Sequence, residues 1–159
     1  MPKRKGFLYE WMCDKEHIRE AIVFGAKGKH NRHDVKRVLA DVDGYTNRVY
    51  DLLQTQTFAP SQPRKRQIYD ASSRKWRTIE YVPFFPDGIV HTLMVMAAEP
   101  TFLRGMNHWS CASVPGRGGK HALRHCKRVI HHDKKGSRYV CKMDVHHFYH
   151  SVDRRKLIW

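Results

Sequence analysis

The chain has 159 residues, 41% of them hydrophobic and 11% aromatic, which is the size of one domain and enough to supply a core, so its composition is not that of a disordered chain. Thirty Lys and Arg against fifteen Asp and Glu leave a net charge of +15 and a pI near 10, pointing to a polyanionic partner, nucleic acid first. No long apolar stretch, signal-peptide pattern or lipidation motif is present, which argues against a membrane partner, and four isolated cysteines (Cys13, Cys111, Cys126, Cys141) read as reduced thiols of a cytoplasmic protein.

In chain order, Met1 to Lys5 is a basic start whose Lys3, Arg4 and Lys5 can touch phosphate, and the aromatic-rich Phe7 to Met12 can dock on the body. Residues 14 to 26 read as a helix with Asp14 as N-cap and Ile18, Ala21 and Ile22 on one face. A second helix is expected from Asn31 or Arg32 to about Val42, with Val35, Val38, Leu39 and Val42 at helical spacing. Asp43 is expected to cap a third, running to Leu53, whose Tyr45, Val49, Leu52 and Leu53 join the same core. Solvated basic faces on a small helical bundle suffice to explain this region.

Phe58 to Pro63 breaks the helices, with the charge run Arg64-Lys65-Arg66 at the break. Gln67 to Asp70 and Trp76 to Val82 then read as two strands joined by a polar, basic tip from Ala71 to Lys75. Such a hairpin is either a phosphate-facing finger or simply solvated. Pro83 to Pro86 stops the second strand, Asp87 can cap, and Gly88 to Phe102 is apolar nearly all round, as expected of a core helix.

Leu103 to Pro115 is irregular and leads into the glycine-rich Gly116 to Lys120, whose backbone amides can approach phosphate although the spacing is not that of a Walker motif. The helix that follows, to His132, places Lys120, Arg124, Lys127, Arg128 and His131 on one face and Ala122, Cys126 and Val129 on another. Cys111, His121, His125 and Cys126 lie near one another in sequence, but they lack the short paired spacing of a structural zinc site. Tyr139, Val140, Cys141 and Met143 form an apolar run of strand length that ends on Asp144, followed by Phe148 and Tyr149. That carboxylate is either a ligand for a hard divalent cation or the cap of the turn that follows. Asp153 onward reads as the start of another helix.

Three of these stretches, in order, resemble bacterial reverse transcriptases of the group II intron, diversity-generating retroelement and abortive-infection kinds. Arg77-Thr78-Ile79 through Pro83, then Asp87-Gly88-Ile89-Val90-His91 and Glu99-Pro100, is similar to the family's "R-x-I-x-x-P, D-R-I-V-Q, L-E-P" segment. Ser110-Cys111 with Gly116-Arg117-Gly118 and Ala122 is similar to "S-[YF]-x-[CF]-x-x-G-x-G-x-x-x-A". Lys142 to Asp153 looks like the polymerase motif "K-x-D-I-x-x-F-[FY]-x-S-I-D".

The resemblance implies an α+β fold, with a helical N-terminal region (1–62), fingers made of a basic hairpin and helices (63–137), and the first strand of the palm of a right-hand polymerase, incomplete (138–159). It implies RNA-templated DNA synthesis from deoxynucleoside triphosphates with two Mg²⁺ ions, on an RNA template with a DNA or RNA primer, beside an accessory protein or structured RNA of a retroelement. Asp144 would be the catalytic and metal-binding aspartate with the Val145 carbonyl beside it, and Tyr149 would lie under the sugar of the incoming nucleotide. Lys75 and Arg77 would contact its triphosphate. Arg64, Lys65, Arg66, Arg117, Lys120, Arg124, Lys127 and Arg128 are the expected nucleic-acid contacts.

Two departures accompany the resemblance. Gly88 stands where the family has arginine, and the family's second carboxylate pair would fall after residue 159, so a truncated, inactive polymerase is expected. The alternative is a stand-alone basic RNA-binding module with no catalysis, in which Asp144 is a cap. A zinc-dependent nuclease using the histidines ranks below both.

Overall fold

Asp14 starts the first long helix by accepting the N–H groups of Glu16 at 2.7 Å and His17 at 3.4 Å, which satisfies two donors that helix geometry leaves without partners. In this computed structural model the described residues are 5–146 and 148–157. Lys3, Arg4 and His147 lie outside them, as does the side chain of Tyr149. The architecture is mixed helix and strand with one small antiparallel sheet, compatible with an α+β class. The chain divides between Met106 and Asn107 into two compact units.

The first unit carries α1 (Leu8–Met12), α2 (Lys15–Ala26), α3 (His33–Leu39), α4 (Val42–Gln54), β1 (Arg64–Asp70), β2 (Lys75–Tyr81) and α5 (Ile89–Gly105). Its core is built where α2 packs on α4 and α5, with Ile18, Ala21 and Ile22 meeting Val49, Leu53, Ile89 and Leu93, all buried. Gly25 permits the close approach of α2 to α5. A Cβ there would come within 2.9 Å of Thr92 Oγ1 and 3.3 Å of the Phe84 ring.

Three expectations for this unit need correction. The second helix ends at Leu39, and Val42 instead opens α4, because Asp41 and not Asp43 supplies the cap by accepting Gly44 N–H at 2.9 Å. Asp43 pairs with Arg19. Asp87 does not cap α5. It is fully buried and accepts both the backbone N–H and the hydroxyl of Ser61, at 2.8 and 2.7 Å, which pins the loop before β1 to the start of α5. Helix α5 buries Ile89, Val90, Leu93 and Ala97 in the core of this unit, while Met94, Val95 and Phe102 are exposed, with no other described element of the unit over them.

The second unit carries α6 (Gly119–His132), α7 (Phe148–Ser151) and α8 (Arg154–Leu157). Among its described residues Val114 is the buried apolar side chain. The strand expected over Tyr139–Met143 is not formed, and Tyr139 and Met143 are 87% and 86% exposed. An extended segment needs a neighbouring strand to accept its backbone hydrogen bonds, and residues 107–146 and 148–157 provide none. Among the described residues, no helix is long and apolar enough to cross a membrane.

Candidate nucleic-acid interface

The β1–β2 hairpin is the most exposed structured element of the first unit. Its register runs from Arg64 opposite Tyr81 to Asp70 opposite Lys75. Because side chains alternate across a strand, one face carries Arg64, Arg66, Ile68 and Asp70 against Tyr81, Ile79, Arg77 and Lys75. The other carries Lys65, Gln67 and Tyr69 against Glu80, Thr78 and Trp76.

The tip is closed by Asp70. Its carboxylate accepts the Ser72 hydroxyl at 2.6 Å and N–H at 3.0 Å, the Ser73 hydroxyl at 2.8 Å and Arg77 Nε at 2.8 Å. The Ser72 hydroxyl, then the Ser73 hydroxyl and Arg77, hold the carboxyl far below the usual carboxylate range. Arg74 completes the turn in the left-handed region, with φ at 51°.

This geometry sorts the expected contacts. The run Arg64-Lys65-Arg66, expected where the helices break, forms the start of β1, so its charges alternate between the two faces. Arg64 and Arg66 are exposed with no hydrogen-bond or ion-pair partner among the described residues, and Lys75 is likewise free. Lys65 pairs with Glu80 at 3.7 Å across the strands, and Arg77 is held by Asp70. Of the two cations expected at a triphosphate, Lys75 is thus available and Arg77 is engaged at the tip.

A feature outside the expected contacts is the aromatic pair on the opposite face. The rings of Tyr69 and Trp76 meet edge to face, with centroids 5.4 Å apart, and are 54% and 69% exposed. The signal lay in the sequence as one aromatic on each side of the turn, but it becomes a pair only once the register is known.

In the second unit, α6 keeps the expected separation of faces. Lys120, Arg124, Lys127 and Arg128 are exposed, and so are Leu123, Cys126, Val129 and Ile130 on the apolar side. Arg117 is a loop brace: its Nη1 donates to the carbonyls of Asn107 and Ser110, both at 3.0 Å. Gly116, at φ 72°, takes the left-handed conformation that makes this loop turn. The ring of His125 lies tilted against those of His108 and Trp109 and edge-on to His121, with centroids 4.7 to 5.8 Å away. Partial desolvation, then the positive surroundings of His121, Arg128, His108 and Arg117, hold its imidazole below the ordinary pKa.

Asp144 is exposed on irregular chain, and its Oδ1 accepts the N–H of Val145 at 3.0 Å. Among the described residues it does not end a strand. Tyr149 belongs to α7. A Mg²⁺ ion needs a near-octahedral set of oxygens, commonly one or two carboxylates with substrate phosphates and water. Among the described residues no group of three or more His, Cys, Asp or Glu is placed to hold a metal ion. Comparison with protein-family models, with curated proteins and with solved structures finds no match for the chain.

Proposed function

We propose that the chain binds single-stranded RNA through the β1–β2 hairpin, and that it does so as the fingers of an RNA-directed DNA polymerase similar to the bacterial reverse transcriptases. The observation that carries the binding is the hairpin's division of labour: unpaired Arg64 and Arg66 on one face, an exposed Tyr69–Trp76 pair on the other. Phosphate neutralisation by arginine supplies affinity, and stacking on aromatic rings takes any base. The basic face of α6 is a second surface of the same kind on the other unit, with Lys120, Arg124, Lys127 and Arg128 all in water.

The polymerase part of the proposal rests on the three motif-like stretches. In it, RNA template, primer and deoxynucleoside triphosphates are the ligands, and Asp144 joins further carboxylates to hold Mg²⁺. A binding module without catalysis is the second reading, in which Asp144 serves only its own turn, where it accepts the Val145 N–H at 3.0 Å.

The test is the affinity for single-stranded RNA, by fluorescence anisotropy, at increasing KCl. The proposal expects log K to fall linearly with log salt, by about 0.7 for each phosphate contacted. The double variant Arg64→Gln, Arg66→Gln should flatten the slope by about 1.4, two contacts' worth. Absent binding, or a slope untouched by the double variant, refutes the hairpin as the interface.

A further inference from the structure

Between the N-terminal end of α3 and the cationic face of the hairpin lies a cavity of about 460 Å³, within the range of roughly 300 to 1,000 Å³ usual for small-ligand sites. Arg32, Asp34, Arg64 and Arg66 supply its charge, and Ile79 and Tyr81 its apolar wall. The charges do not cancel. Arg32 is consumed internally, since Nη2 and Nε donate to the two Asp34 carboxylate oxygens at 2.6 and 3.1 Å. Asp34 is itself anchored by the Phe84 N–H at 3.1 Å and the Val35 N–H at 3.1 Å. Burial would raise its carboxyl, but Arg32 and the Phe84 N–H outweigh this and hold it below the ordinary value, so the pair stays ionised. Arg64 and Arg66 therefore remain as two uncompensated guanidinium groups at one cavity, beside the half-exposed ring of Tyr81.

We infer that this cavity takes the terminal phosphate monoester of a nucleotide, carried either at the 5′ end of a strand or by a free nucleoside monophosphate. Two arginines match a group with close to two negative charges at neutral pH, whereas an internal phosphodiester carries one. Guanidinium forks suit the planar, bidentate recognition of phosphate oxygens. Tyr81 and Ile79 offer the attached nucleoside an apolar wall. The inference deepens the RNA-binding reading and rests on it for the strand-borne ligand.

The experiment compares one short RNA with a 5′ phosphate against the same RNA with a 5′ hydroxyl, by anisotropy on the full chain, with adenosine 5′-monophosphate as a competitor. The 5′ phosphate should tighten binding about tenfold, the effect of a single charge-assisted contact. Arg64→Gln with Arg66→Gln should abolish that preference, Tyr81→Leu should reduce it, and Lys27→Gln with Lys29→Gln, at exposed lysines away from the cavity, should leave the ratio intact. Competition by the free monophosphate at the concentration that saturates the strand end assigns the site to a nucleotide, and failure to compete assigns it to a strand terminus. Equal binding of the two RNAs overturns the cavity site while leaving the RNA interface standing. Binding of neither overturns both.

Discussion

Ser61 gives both its backbone N–H and its hydroxyl to the carboxylate of Asp87, at 2.8 and 2.7 Å, and Asp87 is completely enclosed. A buried carboxylate with two donors fixes the path by which the chain leaves the helices and enters β1. Removing it orphans those donors. Asp87→Ala should therefore lower stability by about 2 kcal/mol, read as a shift in the urea midpoint, with Asp87→Asn recovering much of the loss. An unchanged midpoint would show that the pairing does not tie the loop.

Asp70 gives the hairpin a defined acid response. Its folded carboxyl titrates far below the ordinary value of 3.8 because Ser72, Ser73 and Arg77 donate to it. The folded state thus binds fewer protons than the unfolded one, and stability rises with pH across this window. The contribution is complete above the ordinary carboxylate pKa and is lost as pH falls through the lower folded value. An NMR titration of the Asp70 carboxyl carbon should find it still ionised at pH 3, and Asp70→Asn should remove this part of the pH dependence. Titration at the ordinary value would mean that the tip network does not form in solution.

Trp76 is placed to stack on a base. Trp76→Leu should weaken single-stranded RNA binding by about 1 to 3 kcal/mol, the worth of one base stacked on an aromatic ring. Because the contact is apolar, the salt slope should stay the same. A change in slope with little loss of affinity would place the ring away from the RNA.

Asp144 separates the two functional readings. In a protein that joins this chain to further polymerase carboxylates, Asp144→Asn should abolish nucleotide incorporation on a primed RNA template and leave RNA affinity unaltered, since it removes a metal ligand and no phosphate contact. Retained incorporation would end the assignment of Asp144.

Much of the first unit was legible from local chemistry. Asp14 ahead of Ile18, Ala21 and Ile22 is a cap before a helical stripe, and α2 follows that pattern. Where two aspartates, Asp41 and Asp43, lay close together, spacing alone did not choose the cap, and the break at Ala40 decided it. The charge run at Arg64 concealed the first half of β1, since a strand solvated on both faces shows no apolar alternation. Helix α5 looks like a core helix by composition, yet burial depends on which layers surround it, and that is not a property of its own residues.

The candidate site was legible as charge and not as geometry. Arg64 and Arg66 were singled out, but the pairing of Lys65 with Glu80, the engagement of Arg77 at the tip and the opposition of Tyr69 to Trp76 all follow from register. Tyr139 to Met143 has the composition of a strand, but the described residues of the second unit offer it no neighbouring strand, and it stays irregular.

The most direct test of the central claim is to photocrosslink a 4-thiouridine-substituted single-stranded RNA to the chain and map the modified peptides by mass spectrometry. Crosslinks are expected within Arg64–Tyr81, at Tyr69, Trp76 or Tyr81. Crosslinks confined to other segments, with the hairpin unmodified at saturation, would contradict it.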